Sequence, residues 1–266
     1  EKLYSFIQND PKIILEPCIG QGDLIKYISN KNPYILFDMY EIDSTIDLLK
    51  GVDKKSVKNC NFLSEEIHKT YKTIVGNPPY IRTKKGNLYI DFIDKCYHLL
   101  EDKGELIFIV PSDVFKLTSA SKLLDEMMNS GTFTHVYHPH DEKLFIDASV
   151  DIVIFRYCKD ITDDRLTLYN DKQLYIKNNS GLITFTETID DQCYLFSKYF
   201  DVYVGLVSGK ENVYKNERLG NLNILNSYGK ECKYIYIDKY PCGNKEIDTY
   251  LHQYKDELLS RKIRKF

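Results

Sequence analysis

Long apolar runs are missing from this sequence of 266 residues. Its apolar stretches are short, and none approaches the roughly 20 residues that a membrane-spanning helix needs. No basic segment followed by an apolar one opens the chain, so no secretory leader is expected. The first residue is not Met, which leaves room for a preceding segment. Cysteine pairs are missing as well. The seven cysteines (Cys18, Cys60, Cys96, Cys158, Cys193, Cys232 and Cys242) are odd in number and never spaced as CxxC. Several lie in apolar, strand-like runs, where Cys acts as a small hydrophobe. The expectation is a reduced, cytoplasmic protein with no membrane partner and no metal site. No Ser/His/Asp or Cys/His pattern stands out, and His138 and His140 in "YHPHDE" read as part of a loop. Internal repeats and low-complexity segments are absent too.

What is present suffices for one large α/β domain with a smaller appendage. Apolar residues make up 43% of the chain, an ordinary share for a protein with a packed core. The net charge of −3 argues at first against nucleic acid. Residues 201–266, however, hold 12 Lys and Arg against 9 Asp and Glu, a balance of +3, which leaves −6 on residues 1–200. A nucleic-acid surface needs a local basic patch rather than a basic whole. "RTKK" (82–85) and "SRKIRKF" (260–266) are candidate patches, and from charge alone a solvated loop and a solvated helix end describe them equally well.

Seven apolar, β-branched runs read as strands: residues 12–16, 34–42, 57–62, 73–76, 105–111, 133–138 and 149–157. Continuous apolarity in "LIFIV" and "VDIVIF" indicates strands covered on both faces. Between the runs, residues 22–29, 44–51, 88–104 and 119–131 carry helical spacing, the last two ending at Gly104 and Gly131. Alternating strands and helices predict a doubly wound, mostly parallel sheet, with an antiparallel hairpin at one edge where the closing strands lack clear intervening helices. Polar, turn-rich residues 160–187 read as continuing or edging that sheet. A boundary near residue 190 separates a domain of residues 1–190 from a region of residues 191–266, which has Tyr-rich strand patterns and a terminal amphipathic helix over 245–263.

Three motifs carry chemistry. In "IILEPCIGQGDLIKYI" a strand ends at Glu16-Pro17, turns through Gly20 and Gly22, and enters a helix. Such glycines let backbone come close to a ligand. Taken alone, the stretch is equally well a structural strand-to-helix turn. An acid at the strand end suits a cationic cofactor group and would repel a pyrophosphate. In "DMYEID", Glu41 ends the next strand about 20 residues later, where a carboxylate can accept both hydrogen bonds of a ribose diol. The third motif, Asn77-Pro78-Pro79-Tyr80, follows the fourth strand. Carboxyl ends of parallel strands are where such sheets bind ligands, so all three belong to one rim.

E-P-x-x-G-x-G, an acid after strand two and N-P-P-Y after strand four, in this order, resemble the gamma group of S-adenosylmethionine-dependent N6-adenine DNA methyltransferases, which includes restriction–modification enzymes of the TCGA-methylating type. The resemblance implies a class I methyltransferase fold with a seven-stranded sheet, followed by a target-recognition region. It implies S-adenosylmethionine as cofactor, double-stranded DNA as partner, a monomer on DNA, and room for a separate cognate endonuclease. Glu16, Pro17 and Cys18, with Gly20 and Gly22, match the cofactor loop around the methionine part, and Glu41 and Ile42 match the ribose and adenine contacts. Where the family often has an acid and Phe after strand three, this chain has Asn61-Phe62, whose amide oxygen can still accept from an adenine amino group. Asn77 and Pro78 take the role of acceptors for the target amine, Pro79 stiffens the loop, and Tyr80 is a ring for stacking. "KLFIDASVDIVIFRY" puts Phe145 in the role of the second aromatic on a flipped-out base.

Two departures accompany the resemblance. "EKLYSFI" is similar only to the tail of the family's N-terminal element, and the region after "YVGLVSGKENVYK" is shorter than the family usually shows. Both raise the expectation of a trimmed chain. Rival readings are methylation of RNA adenine or of a protein glutamine by the same motif, and a catalytically silent DNA-binding subunit. Extra sequence on the C-terminal side favours DNA over glutamine, and the intact motifs argue against silence.

Overall fold

Short runs such as residues 13–15 and 74–75 are apolar at consecutive positions because each strand is covered on both faces. A computed structural model describes residues 1–83, 86–140, 150–160, 165–189, 198–201, 208–225 and 229–260. After a short helix α1 (Lys2–Ser5) come β1 (Ile13–Glu16), α2 (Asp23–Lys31), β2 (Leu36–Glu41), β3 (Val57–Asn59), β4 (Tyr71–Gly76), α3 (Leu88–His98), β5 (Leu100–Pro111), α4 (Ser121–Ser130), β6 (Thr132–Tyr137) and β7 (Ile152–Cys158). Three further strands follow, β8 (Leu166–Tyr169), β9 (Lys172–Asn179) and β10 (Leu182–Thr186).

These ten strands share one sheet, in the order β10-β9-β8-β6-β7-β5-β4-β1-β2-β3. Strands β3, β2, β1, β4 and β5 run parallel, and β7 is antiparallel to both β5 and β6. The seven strands expected from the sequence form one contiguous block. Polar residues 166–186 extend it by three, because β8 pairs in parallel with β6 and then hairpins through β9 and β10. The antiparallel pair expected at an edge therefore lies inside the sheet. Successive residues feed opposite faces. Leu15, Ile74 and Leu106 join one apolar cluster with Ile93 of α3 and Met127 of α4, while Ile14, Val75 and Ile107 join another with Leu3 of α1 and Ile28 of α2.

Two expected helices differ. Residues 44–51 form no helix: the Asp43 carboxylate accepts from both the backbone N–H and the hydroxyl of Thr45, and the Leu49 N–H is given to Gln21 O. Side-chain oxygens that cap their own backbone compete with helix in this way. The helix expected to run to Gly104 stops at His98, because Leu99 O accepts from Tyr71 N–H and the following residues join β5. Gly131 does follow α4, but in extended conformation (φ −173°), not as a left-handed cap.

At the end of the sheet away from the strand carboxyl termini, Glu105 is fully buried. It accepts from Arg156 Nε (2.7 Å), Thr73 Oγ1 (2.9 Å) and the backbone N–H groups of Gln8 and Asn9 (both 3.1 Å). Four donors on one carboxylate make its burial tolerable.

The chain divides into two compact units, Glu1–Asp191 and Gln192–Phe266. In the second, α5 (Glu211–Tyr214), a hairpin of β11 (Leu222–Leu225) and β12 (Glu231–Tyr234), α6 (Lys245–Gln253) and α7 (Lys255–Leu259) are described. Val213, Leu219, Ile235, Ile247 and Leu251 are its core. The expected terminal helix is broken at Tyr254. Among the described residues no helix is long and apolar enough to cross a membrane.

Candidate active site

Strand order reverses between β1 and β4, and at such a switch point the strand carboxyl ends open a crevice. Glu16 is the last residue of β1, Glu41 of β2, and Asn77 follows β4. The segment after Glu16 is pinned to β2. Ile19 N–H donates to Tyr40 O (3.0 Å), and Gly20 N–H donates to Glu41 Oε2 (2.9 Å). Glu41 Oε1 accepts from Asp43 N–H (3.0 Å), so this carboxylate fixes the loop on both sides and keeps a second lone pair on each oxygen. Gly22 turns the chain into α2 at φ +92°, and a Cβ there would lie 2.8 Å from Val52 Cγ2. Gly20 has φ +54°, with open space where a Cβ would stand.

Glu16 is 1% exposed and neither carboxylate oxygen has a partner at full hydrogen-bond geometry, although the Asn77 backbone N–H lies close enough to act on it. Burial drives its pKa well above the usual carboxylate range; the Asn77 backbone N–H pulls it down only in part, and Glu41 pushes it further up. The neighbouring Cys18 thiol is likewise raised, by burial first and then by Glu16. Gly76 makes this contact of strands possible. A Cβ there would sit 2.9 Å from Phe108 Cε1 and 3.4 Å from Glu16 Oε1. Sequence reasoning missed Gly76, whose only signal was a glycine closing an apolar strand.

Beyond Gly76, Asn77 is exposed, Pro78 is buried and Tyr80 is half-buried. The Tyr80 hydroxyl lies 2.7 Å from Asn77 Oδ1 and 3.2 Å from Ile109 O, one proton facing two acceptors. Its ring meets Tyr89 edge-on at 6.3 Å, and burial raises the Tyr80 pKa. None of this was visible in the sequence, because Ile109 and Tyr89 come from β5 and α3.

The remaining expected residues separate. Ile42 stands 71% exposed beside Glu41. Asn61 Oδ1 accepts from Leu63 N–H (3.1 Å), so local capping already accounts for an Asn there. Phe62 is 2% exposed, stacked on Phe92 (5.7 Å, 11°) with Tyr40 at its edge. The physical reason is that an apolar ring one residue past β3 gains more by entering the core against α3. Phe145, Lys84 and Lys85 lie outside the described residues, as does most of the 260–266 basic stretch.

A further group at the same rim escaped the sequence reading. His138, just after β6, sets Nε2 2.8 Å from the Asp151 carboxylate and Nδ1 3.0 Å from the Tyr169 hydroxyl. Ser112 Oγ donates to Asp151 Oδ2 at 2.5 Å. The Ser112 bond, aided by His138, holds the Asp151 pKa below its ordinary value. "YHPHDE" was legible as a loop, whereas its partners are far off in sequence.

Residues 23–145 match the family model described as Eco57I restriction-modification methylase. The Type II methyltransferase M.HincII of Haemophilus influenzae is 30% identical over 186 residues, covering 61% of this chain and 36% of that protein. The Type II methyltransferase M.AccI of Acinetobacter calcoaceticus is 22% identical over 190 residues, covering 61% of this chain and 35% of that protein. The chain thus spans about a third of the length of the curated relatives it matches. Among solved structures, the methyltransferase subunit of a type I restriction-modification system from Streptococcus thermophilus superposes with a TM-score of 0.51 at 14% identity, covering 70% of this chain and 48% of that one. A likeness at that identity speaks to the fold.

Proposed function

We propose that this chain, whose residues 23–145 match the Eco57I restriction-modification methylase model and whose fold is similar to that of a restriction-modification methyltransferase subunit, is a class I S-adenosylmethionine-dependent enzyme that transfers a methyl group to N6 of an adenine in duplex DNA at a defined site. The observation that carries the reading is the junction of β1 and β4. There, a buried carboxyl lies beside Gly76 and the backbone N–H of Asn77, whose own side chain is exposed.

The residues fit S-adenosylmethionine. Glu16 has two orphaned oxygens suited to a positive charge, Gly20 leaves open space beside the loop, Glu41 keeps free lone pairs for a ribose diol, and Ile42 is exposed to cover an apolar ring face. When bound, this cofactor supplies an electrophilic methyl on sulfonium. Pro17, Cys18 and Gly22 shape the loop around it.

An exocyclic amino nitrogen is a poor nucleophile, because its lone pair is delocalised into the ring. Asn77 Oδ1 and the Pro78 carbonyl accept its two N–H groups, which localises the lone pair. Pro78 and Pro79 hold φ fixed, so these acceptors are preorganised. Catalysis is then positioning of two bound partners, and the amine loses its proton after transfer. Tyr80 releases Asn77 Oδ1 as the amine arrives, and its hydroxyl still has Ile109 O to donate to. A base within a duplex cannot reach this rim, so the nucleotide flips out and stacks on Tyr80, with Phe145 as the opposite ring. In this reading residues 1–190 are catalytic and residues 191–266 recognise the target, the protein acts in the cytoplasm as a monomer on DNA, and a separate endonuclease is its counterpart.

Incubation with tritium-labelled cofactor and unmethylated duplex DNA tests the reading. Label incorporated into DNA supports it; label only in RNA or in protein glutamine contradicts it.

A further inference from the structure

Glu16 does more than line the rim. Its carboxyl is 1% exposed, and neither oxygen has a partner at full hydrogen-bond geometry, a condition in which the ionised form is costly. The groups that bear on it come from four elements. The end of β4 offers the Asn77 backbone N–H, β2 offers Glu41, the loop after β1 offers the Cys18 thiol, and α3 offers the Cys96 thiol. Only the N–H favours a charged Glu16; Glu41 opposes it, and the thiols, both raised by burial, bring no positive charge. No ion pair among the described residues includes it. Burial and the Glu41 charge thus favour the neutral carboxyl over the ionised one.

A cation seated against it reverses that balance. The transferred methyl must face the amine held at Asn77, whose backbone N–H already bears on Glu16. Of the charges on S-adenosylmethionine, the sulfonium would then be the one nearest this carboxyl. We propose that Glu16 distinguishes the methyl donor from the spent cofactor: it gives its proton to solvent when a sulfonium is seated beside it, and it stays protonated beside the uncharged thioether. The inference rests on the reading of this rim as an S-adenosylmethionine site. The charges balance, since one proton leaves as one positive charge enters. After transfer the thioether carries no charge, and the carboxylate takes a proton back.

Linkage makes this measurable without turnover. Calorimetric titration of the protein with S-adenosylmethionine and with S-adenosylhomocysteine, each in buffers of different ionisation heat, counts the protons released. The two ligands share the amino and carboxylate groups, so those contributions cancel in the difference. The donor is expected to release about one proton more than the thioether, and its relative affinity to rise with pH by up to about tenfold per unit. Glu16→Gln, neutral at every pH, should abolish the extra proton and cut the donor's preference about tenfold or more, with thioether affinity within about threefold of the parent. Equal proton release for both ligands on the unaltered protein overturns the inference, whether or not the variant folds, and so does a variant that keeps the parent's preference. If neither ligand binds the unaltered protein, the cofactor reading itself falls, and this inference falls with it.

Discussion

The Tyr80 hydroxyl lies 2.7 Å from Asn77 Oδ1, so in the free protein a motif side chain occupies the acceptor assigned to the target amine. Separating the hydroxyl from the ring tests what each contributes. Tyr80→Phe keeps the ring and frees Asn77, and kcat/KM for duplex DNA should stay within about tenfold of the parent. Tyr80→Ala also removes a stacking surface of about 1–3 kcal/mol and should lower kcat/KM about ten- to hundredfold. Steady-state kinetics on one duplex decide it, and equal impairment of both variants contradicts the division.

The turn into α2 should tolerate no side chain. Gly22→Ala would place a methyl 2.8 Å from Val52 Cγ2 on backbone at φ +92°. A loss of about 1–3 kcal/mol in stability is expected, with weaker cofactor binding. Gly20→Ala, at φ +54° with open space, should cost only about 1 kcal/mol. Denaturant melts of the two variants should rank in that order, and a harmless Gly22→Ala would refute the packing argument.

Glu41 ties Gly20 and Asp43 together through their N–H groups. Glu41→Ala should weaken cofactor binding at least about tenfold by losing both the diol acceptor and the loop geometry, since a hydrogen bond to a charged group contributes about 1.5–3 kcal/mol. Unchanged affinity in a titration would remove Glu41 from the site.

The Glu105–Arg156 pair, buried away from the rim, should matter for stability only. Glu105→Ala leaves the Arg156 guanidinium buried with Thr134 Oγ1 (2.6 Å) in place of the carboxylate, an expected loss of about 3–5 kcal/mol. Chemical denaturation measures it, and a loss under about 1 kcal/mol would show that water reaches Arg156.

Much of the fold was legible because short, β-branched apolar runs such as 105–111 favour strands covered on both faces, and because E-P-x-x-G-x-G, Glu41 and N-P-P-Y stand in that order. What failed was decided by partners distant in sequence. Residues 44–51 have helical spacing, yet Asp43 and Gln21 take their backbone N–H groups. "LLEDKG" continues a helical pattern, yet Tyr71 draws it into the sheet. The packing of Phe62 on Phe92 was also out of view, because only the fold brings α3 beneath it. The isolation of Glu16, the need for glycine at position 76 and the hold of Tyr80 on Asn77 are likewise products of strand order. A single sequence prints the residues and leaves out the neighbours that set their chemistry.

The central claim is that Asn77 presents an adenine amine for methyl transfer. It is tested most directly by treating unmethylated duplex DNA with the protein and with Asn77→Ala, each with S-adenosylmethionine, and digesting the DNA to nucleosides for mass analysis. Asn77 is exposed, so the variant should fold and bind cofactor as the parent does. The account predicts N6-methyladenine from the parent and at least about a hundredfold less from the variant, the scale of losing one preorganised polar group. Undiminished N6-methyladenine from Asn77→Ala, or a parent product methylated on another base, would contradict it.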